Sequence, residues 1–266
     1  MFKGFSIPKI NDSSPNEDSF FVSENCAAVS DGAGGCGLYS NEWSEYLIDH
    51  LPKENPILSF EHFDKWIDNI WEEFYDAHES KAKQGDGILL NKFYNEASCA
   101  TIAAAWITAN NKCNWLAYGD TVVFHYNYKT NILEHSFTTL SAFSNPPMLV
   151  SCKEPLERDG FMQGVFNYDD ASSIFIASDA LAHYILMMYE LSNKIDFNDD
   201  LNSIKDSFSS NANLIQIAEL QICNFASDVV EKLRIIDNQN DFEEMIKTLY
   251  MSGVIDIDDY TLVFLL

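Results

Sequence analysis

The chain has 266 residues, 41 of them acidic and 16 basic, for a formal net charge of −25 at pH 7. That balance repels phosphate backbones and anionic lipid headgroups, so neither nucleic acid nor a membrane surface is expected as a partner. The 47 % hydrophobic and 14 % aromatic content suits one well-packed core and argues against disorder, which predicts a single domain over residues 1–266.

Met1 to Ile10 lacks the long apolar core of a signal peptide, and no later apolar run reaches membrane-spanning length. The cytoplasm is therefore the expected compartment, and a monomer the expected state. Two short apolar strands come first, Ser19 to Ser23 and Cys26 to Ser30, joined by a turn at Glu24-Asn25. After Gly34-Gly35 the period changes. Trp43, Tyr46, Leu47 and Leu51 recur at helical spacing, with Ser40 placed to cap the helix. Phe63, Trp66, Ile67, Ile70, Trp71 and Phe74 mark a second amphipathic helix from Phe60 to about Ser80.

Strands return at Ala100 to Ala109, Asn114 to Tyr118, Thr121 to Tyr128 and Ile132 to Phe137. Segment 138–160 contains Pro146-Pro147 and Pro155 with little periodicity, and reads as a long loop or flap. Two further strands, Phe161 to Asn167 and Ser172 to Ala177, precede helices at about Leu181 to Leu191, Leu214 to Leu233 and Phe242 to Met251. The last predicted strand is Tyr260 to Leu266. Strand blocks separated by paired helices predict an α+β fold, with packed antiparallel sheets covered by helices. Cys26, Cys36, Cys99, Cys113, Cys152 and Cys223 show no CxxC spacing and read as small buried hydrophobes rather than a zinc site.

Several strands begin or end on an acid. Glu17 and Asp18 precede the first and Asp31 ends the second. Asp120 follows Trp115-Leu-Ala-Tyr-Gly, Asp179 follows Ile174-Phe-Ile-Ala-Ser, and Asp258 and Asp259 precede the last strand. A carboxylate there projects from a rigid element at the rim of a sheet, so adjacent strands would gather their acids at one edge. Taken singly, each also reads as a turn former or a helix cap. Taken together they fit hard divalent cations, which favour oxygen ligands.

The wording around these acids carries more. In order come Asn16-Glu17-Asp18-Ser19-Phe20, Val29-Ser30-Asp31-Gly32-Ala33-Gly34-Gly35, Gly119-Asp120-Thr121, Ile176-Ala177-Ser178-Asp179-Ala180-Leu181 and Asp258-Asp259-Tyr260-Thr261. This series resembles the motifs of the metal-dependent protein phosphatases, also called type 2C: roughly NEDA, DGMGG or DGHGG, GDS, SDGL and DNxT. The resemblance spans residues 16 to 263 and implies a four-layer sandwich, two packed antiparallel β-sheets flanked by α-helices.

The resemblance further implies two Mn²⁺ or Mg²⁺ ions. Asp31 would bridge them, Glu17 and the Gly32 carbonyl would complete one, and Asp179 with Asp258 would bind the other. Asp18 would orient ligands or ordered waters. The implied reaction is hydrolysis of phosphoserine or phosphothreonine in a protein substrate, by water activated between the cations. No protein nucleophile is needed, and no Ser/His/Asp or Cys/His arrangement stands out.

Three departures bear on this. The phosphate-binding Arg that many members carry four residues before the Glu is Ser13 here, and Lys9 either replaces its charge or is an ordinary surface lysine. A His that often follows Asp-Gly is Ala33. A third-metal Asp is replaced by His183, which either ligates or is a structural histidine. A third ion, held by Asp120, Asp179 and His183, is thus expected to be weak or absent. The alternative is a catalytically impaired, phosphatase-like regulatory or binding module.

Overall fold

The computed structural model describes residues 2–85, 87–193, 199–220 and 223–266. Strand β1 (Lys3–Ile7) opens the chain, followed by β2 (Asp18–Val22) and β3 (Cys26–Gly32). Helices α1 (Ser40–His50), α2 (Phe60–Gln84) and α3 (Gly87–Glu96) come next, and then β4 (Cys99–Thr108), β5 (Lys112–Tyr118), β6 (Val122–Asn127) and β7 (Ile132–His135). Short β8 (Val150–Ser151) lies between two 3₁₀ turns, Leu140–Ser144 and Arg158–Gly160. Strands β9 (Phe161–Asn167) and β10 (Ser172–Ala177) lead into α4 (Asp179–Asn193), α5 (Asp199–Ile204) and α6 (Ser209–Leu220). A π-helical turn, Ala226–Val230, runs into α7 (Glu231–Arg234), and α8 (Gln239–Met251) precedes the closing strand β11 (Tyr260–Phe264).

All strand pairings are antiparallel. One sheet has the order β1-β11-β10-β6-β7 and the other β2-β3-β4-β5-β9, with β8 paired to β4. Side chains alternate across each strand, so both faces of each sheet must be covered. Ala27, Val29, Ala103 and Ala105 meet Val123, Ile174, Ile176 and Val263 between the sheets. Their neighbours Ala28, Ala104 and Trp106 face the other way, onto Trp43, Leu47 and Phe63 of α1 and α2. Phe124, Phe175 and Phe264 point outward from the other sheet onto Leu181, Ile185, Phe242 and Ile246 of α4 and α8. The result is the expected four-layer α/β/β/α sandwich.

Some local expectations change. Strand β1 and helix α3 are additional elements. The single helix expected over Leu214 to Leu233 is two: α6 ends at Leu220, and a new helical run is capped by Asn224, whose Oδ1 accepts from Ser227 N at 3.2 Å. Ser40 does not cap α1. Tyr39 precedes that helix in a left-handed conformation (φ 57°), and the Ser40 hydroxyl donates to the Ala33 carbonyl at 3.1 Å. Cys36 is exposed rather than buried. Among the described residues no helix is long and apolar enough to cross a membrane.

Candidate metal centre

Strand direction gathers the acids. In the β1-β11-β10-β6 order, β1 and β10 end, and β11 and β6 begin, at the same rim. Lys9 stands two residues past β1, Asp179 two past β10, Asp258 two before β11 and Asp120 two before β6. In the facing sheet β2 begins on Asp18 and β3 nearly ends on Asp31, and these two are directly paired. Gly119-Asp120-Thr121 carries the chain from one sheet to the other at that rim, fastened by a 2.6 Å bond between the Thr101 and Thr121 hydroxyls.

Asp259 secures the entry loop. Its Oδ1 accepts from Lys9 N and its Oδ2 from Glu17 N, both at 2.8 Å. Glu17 is held again through its carbonyl, which accepts from Gly32 N at 3.1 Å and from the Ser44 hydroxyl at 2.5 Å. Asp259 is a positioning residue that motif reading passed over, since Asp258 holds the motif's ligand position. The Gly32 carbonyl already accepts from Gly34 N at 3.0 Å and retains a second lone pair.

The electrostatics are those of acids crowded without enough counter-charge. Burial pushes the Asp31 carboxyl well above its usual range, and Asp18, Asp179, Asp120 and Asp258 push it further. Burial does the same to Asp179, with Asp258, Asp120 and Asp18 adding to it. Asp120 is pushed up to about 6 by burial, and Asp258 adds to this. Burial lifts Asp18 to about 7 against the pull of nearby Thr261 and Ser178 hydroxyls, yet neither of its oxygens receives a well-formed hydrogen bond. Glu17 is raised by burial although Lys9 opposes the shift.

Among the described residues, the one cation paired with this set is Lys9. Its ammonium lies 3.1 Å from Asp258 Oδ1 and 3.4 Å from Glu17 Oε2. Partial burial alone would lower its pKa, but Asp258, Asp259 and Glu17 outweigh that and raise it. His183 stands one turn past Asp179 on α4. Its Nδ1 is 3.8 Å from Asp256 Oδ2, and its ring packs against Phe143 and Phe208 at 5.2 and 4.7 Å.

Among the described residues, no three His, Cys, Asp or Glu side chains are arranged as they stand to hold one ion. The donor chemistry still fits hard divalent cations. Every candidate donor for the two-ion set is an oxygen, the acids raise one another's pKa, and the Asp18 oxygens are buried without partners. Beside Asp120 a cleft of about 230 Å³ is bounded by Phe137, Pro146, Pro147, Met148 and Met162.

No protein-family model and no curated protein matches the sequence. Solved structures do match. The catalytic domain of the serine/threonine protein phosphatase PstP, in complex with two manganese ions, superposes with a TM-score of 0.58 at 13 % identity, over 99 % of this chain and 96 % of that one. PppA, a regulatory component of type VI secretion in Pseudomonas aeruginosa, gives 0.56 at 12 %, over 99 % and 96 %. Serine/threonine phosphatase Stp1 from Staphylococcus aureus gives 0.51 at 13 %, over 99 % and 94 %. The chain therefore has the fold of the bacterial serine/threonine phosphatases, the fold that the motif resemblance implied.

Proposed function

We propose that this protein is a divalent-metal-dependent phosphoprotein phosphatase of the cytoplasm, acting as a monomer on phosphoserine or phosphothreonine. The observation that carries the reading is the convergence of Asp18, Asp31, Asp120, Asp179 and Asp258 at one rim, each perturbing another's charge. The two manganese ions of the structurally similar PstP domain support it.

In this reading Glu17, Asp31 and the Gly32 carbonyl hold one Mn²⁺ or Mg²⁺, and Asp31, Asp179 and Asp258 hold the other. When bound, the cations supply charge neutralisation for the phosphoryl oxygens and a lowered pKa for the attacking water. Asp18 orients the Asp31 side of the site from the neighbouring strand. Asp259 keeps the Lys9 and Glu17 backbones in place. Lys9 brings positive charge to the rim that a dianionic ester must approach, and the cleft beside Asp120 receives the chain flanking the phosphorylated residue. A third ion has Asp120 and Asp179 with the neutral nitrogen of His183 in place of an anionic oxygen, and it binds weakly or not at all.

The test is hydrolysis of p-nitrophenyl phosphate and of a phosphothreonine peptide with Mn²⁺ or with EDTA. Turnover should require metal and be abolished in Asp31→Asn and Asp258→Asn, near-isosteric changes that preserve the fold. Full activity after exhaustive chelation overturns the reading. One observation favours a phosphatase-like binding module without turnover: Lys9 already pairs with two of the acids assigned to metal. Thermal stabilisation by Mn²⁺ with no hydrolysis of either ester would identify that module.

A further inference from the structure

Lys9 is placed by the backbone as much as by its own charge. Asp259 accepts from the main-chain nitrogens of both Lys9 and Glu17, which fixes where the lysine leaves β1 relative to Glu17. From there the side chain, 28 % exposed, reaches Glu17 ahead of β2 and Asp258 ahead of β11. Those strands belong to different sheets. A single ammonium thus ties the two sheet rims together through two acids that would otherwise repel. Among the described residues, no other lysine or arginine forms an ion pair with Glu17, Asp18, Asp31, Asp120, Asp179 or Asp258.

A lysine ammonium is a compact point charge that carries three donors and bridges two carboxylates at these distances without special geometry. A divalent cation taking Glu17 or Asp258 meets that positive charge within a few ångströms, in a partly desolvated place where repulsion is weakly screened. The ion and the ammonium therefore compete for the same oxygens. We propose that Lys9 is a tethered counter-ion closing the Glu17–Asp258 side of the rim, and that a divalent cation binds there only by displacing its ammonium. The proposal rests on the metal-dependent reading above and adds to it a built-in competitor that lowers metal affinity.

The experiment is calorimetric titration of MnCl₂ into the metal-stripped full chain, comparing wild type with Lys9→Met and Lys9→Gln, and using Lys9→Arg as the charge-retaining control. Both neutral variants should bind Mn²⁺ about tenfold tighter, the size expected from removing one like charge beside the ion. Lys9→Arg should stay within about threefold of wild type, since the charge remains. Without metal, the neutral variants should also melt below wild type and recover more on adding MnCl₂, because the acids have lost the one counter-charge they have among the described residues. Equal or weaker binding by both neutral variants, while wild type binds, overturns the proposal and leaves the metal reading standing. No binding by any of the four proteins overturns the metal reading and the proposal with it.

Discussion

Asp18 and Asp31 stand directly opposite each other on the β2–β3 ladder. Opposed side chains on antiparallel strands come within about 5 Å at Cβ, and like charges so placed are destabilising. The two strands are nonetheless held in this register by apolar packing on both faces of β3, where Val29 is fully buried between the sheets and Ala28 is fully buried under the helices. The fold thus accepts an electrostatic cost at one rim, which is the behaviour expected of a site that a cation completes.

That cost gives a pH dependence. Burial raises the Asp18 carboxyl to about 7 in the folded chain, against roughly 3.9 when unfolded. Between those values the folded state binds more protons than the unfolded one, so stability falls as pH rises. Metal-free protein should therefore be less stable at pH 8 than at pH 6. Asp18→Asn should recover on the order of 2–4 kcal/mol at pH 8, and saturating Mn²⁺ should flatten the wild-type slope. Urea unfolding in EDTA at several pH values measures this. Identical slopes for the variant and wild type would remove Asp18 from the effect.

His183 is predicted to act with the opposite sign. Burial pushes its ring down to about 4, with Asp256 opposing, so the neutral form is the one packed against Phe143 and Phe208. Between about 4 and the unfolded value near 6.5, the unfolded state binds more protons, and stability rises with pH. His183→Phe removes this acid-side loss together with a buried Nε2 that has no partner. The variant should match wild type within about 1 kcal/mol at pH 7.5 and exceed it at pH 5. Parallel thermal melts at the two values decide the matter.

The rim was legible in the sequence because each acid stands at the end of a strongly apolar run, and antiparallel strands bring alternate starts and ends to one edge. The role of Asp259 was not. Its partners are main-chain nitrogens 250 and 242 residues away, and no local pattern announces such a contact. Strand β1 escaped notice for a related reason: only Phe5 and Ile7 of its five residues are buried, and its partner is the last strand of the chain. Helix α3 buries only Phe93 and follows Gly85, so its apolar stripe is too narrow to read. The direction of the Lys9 side chain depends on two acids from different sheets, which sequence order does not place together.

Trp43 is predicted to control the segment between β7 and β9. Its ring is fully buried, packs at a tilt with its centroid 4.7 Å from that of Phe74, and donates from Nε1 to the Val150 carbonyl at 2.9 Å. Trp43→Phe removes the donor to a buried carbonyl and leaves space beneath β8. The expected loss is about 2–3 kcal/mol. Limited proteolysis should then cut within 145–156 faster relative to the rest of the chain. Uniform acceleration across the chain would mean that Trp43 serves the general core and not this segment.

Two motif glycines should separate cleanly. Gly119 has φ +97°, a conformation that side chains rarely adopt, and a Cβ there would lie 2.5 Å from Thr101 Cγ2 and 2.9 Å from the Met148 carbonyl. Thr101 cannot easily retreat, since its hydroxyl is bonded to Thr121 and its backbone is paired with Asp31. Gly119→Ala should therefore cost roughly 2–4 kcal/mol, through backbone strain and a displaced Thr101. Because the same residues position Asp120 and face Asp31, Mn²⁺ should stabilise the variant less than it stabilises wild type. Gly35 has no heavy atom within 4 Å of a built Cβ and no left-handed φ. Gly35→Ala should stay within about 0.5 kcal/mol of wild type and keep its full response to Mn²⁺. Unfolding curves with and without MnCl₂ measure both quantities, and a Gly119→Ala protein as stable and as metal-responsive as Gly35→Ala would refute the assigned geometry of the Gly119-Asp120-Thr121 crossing.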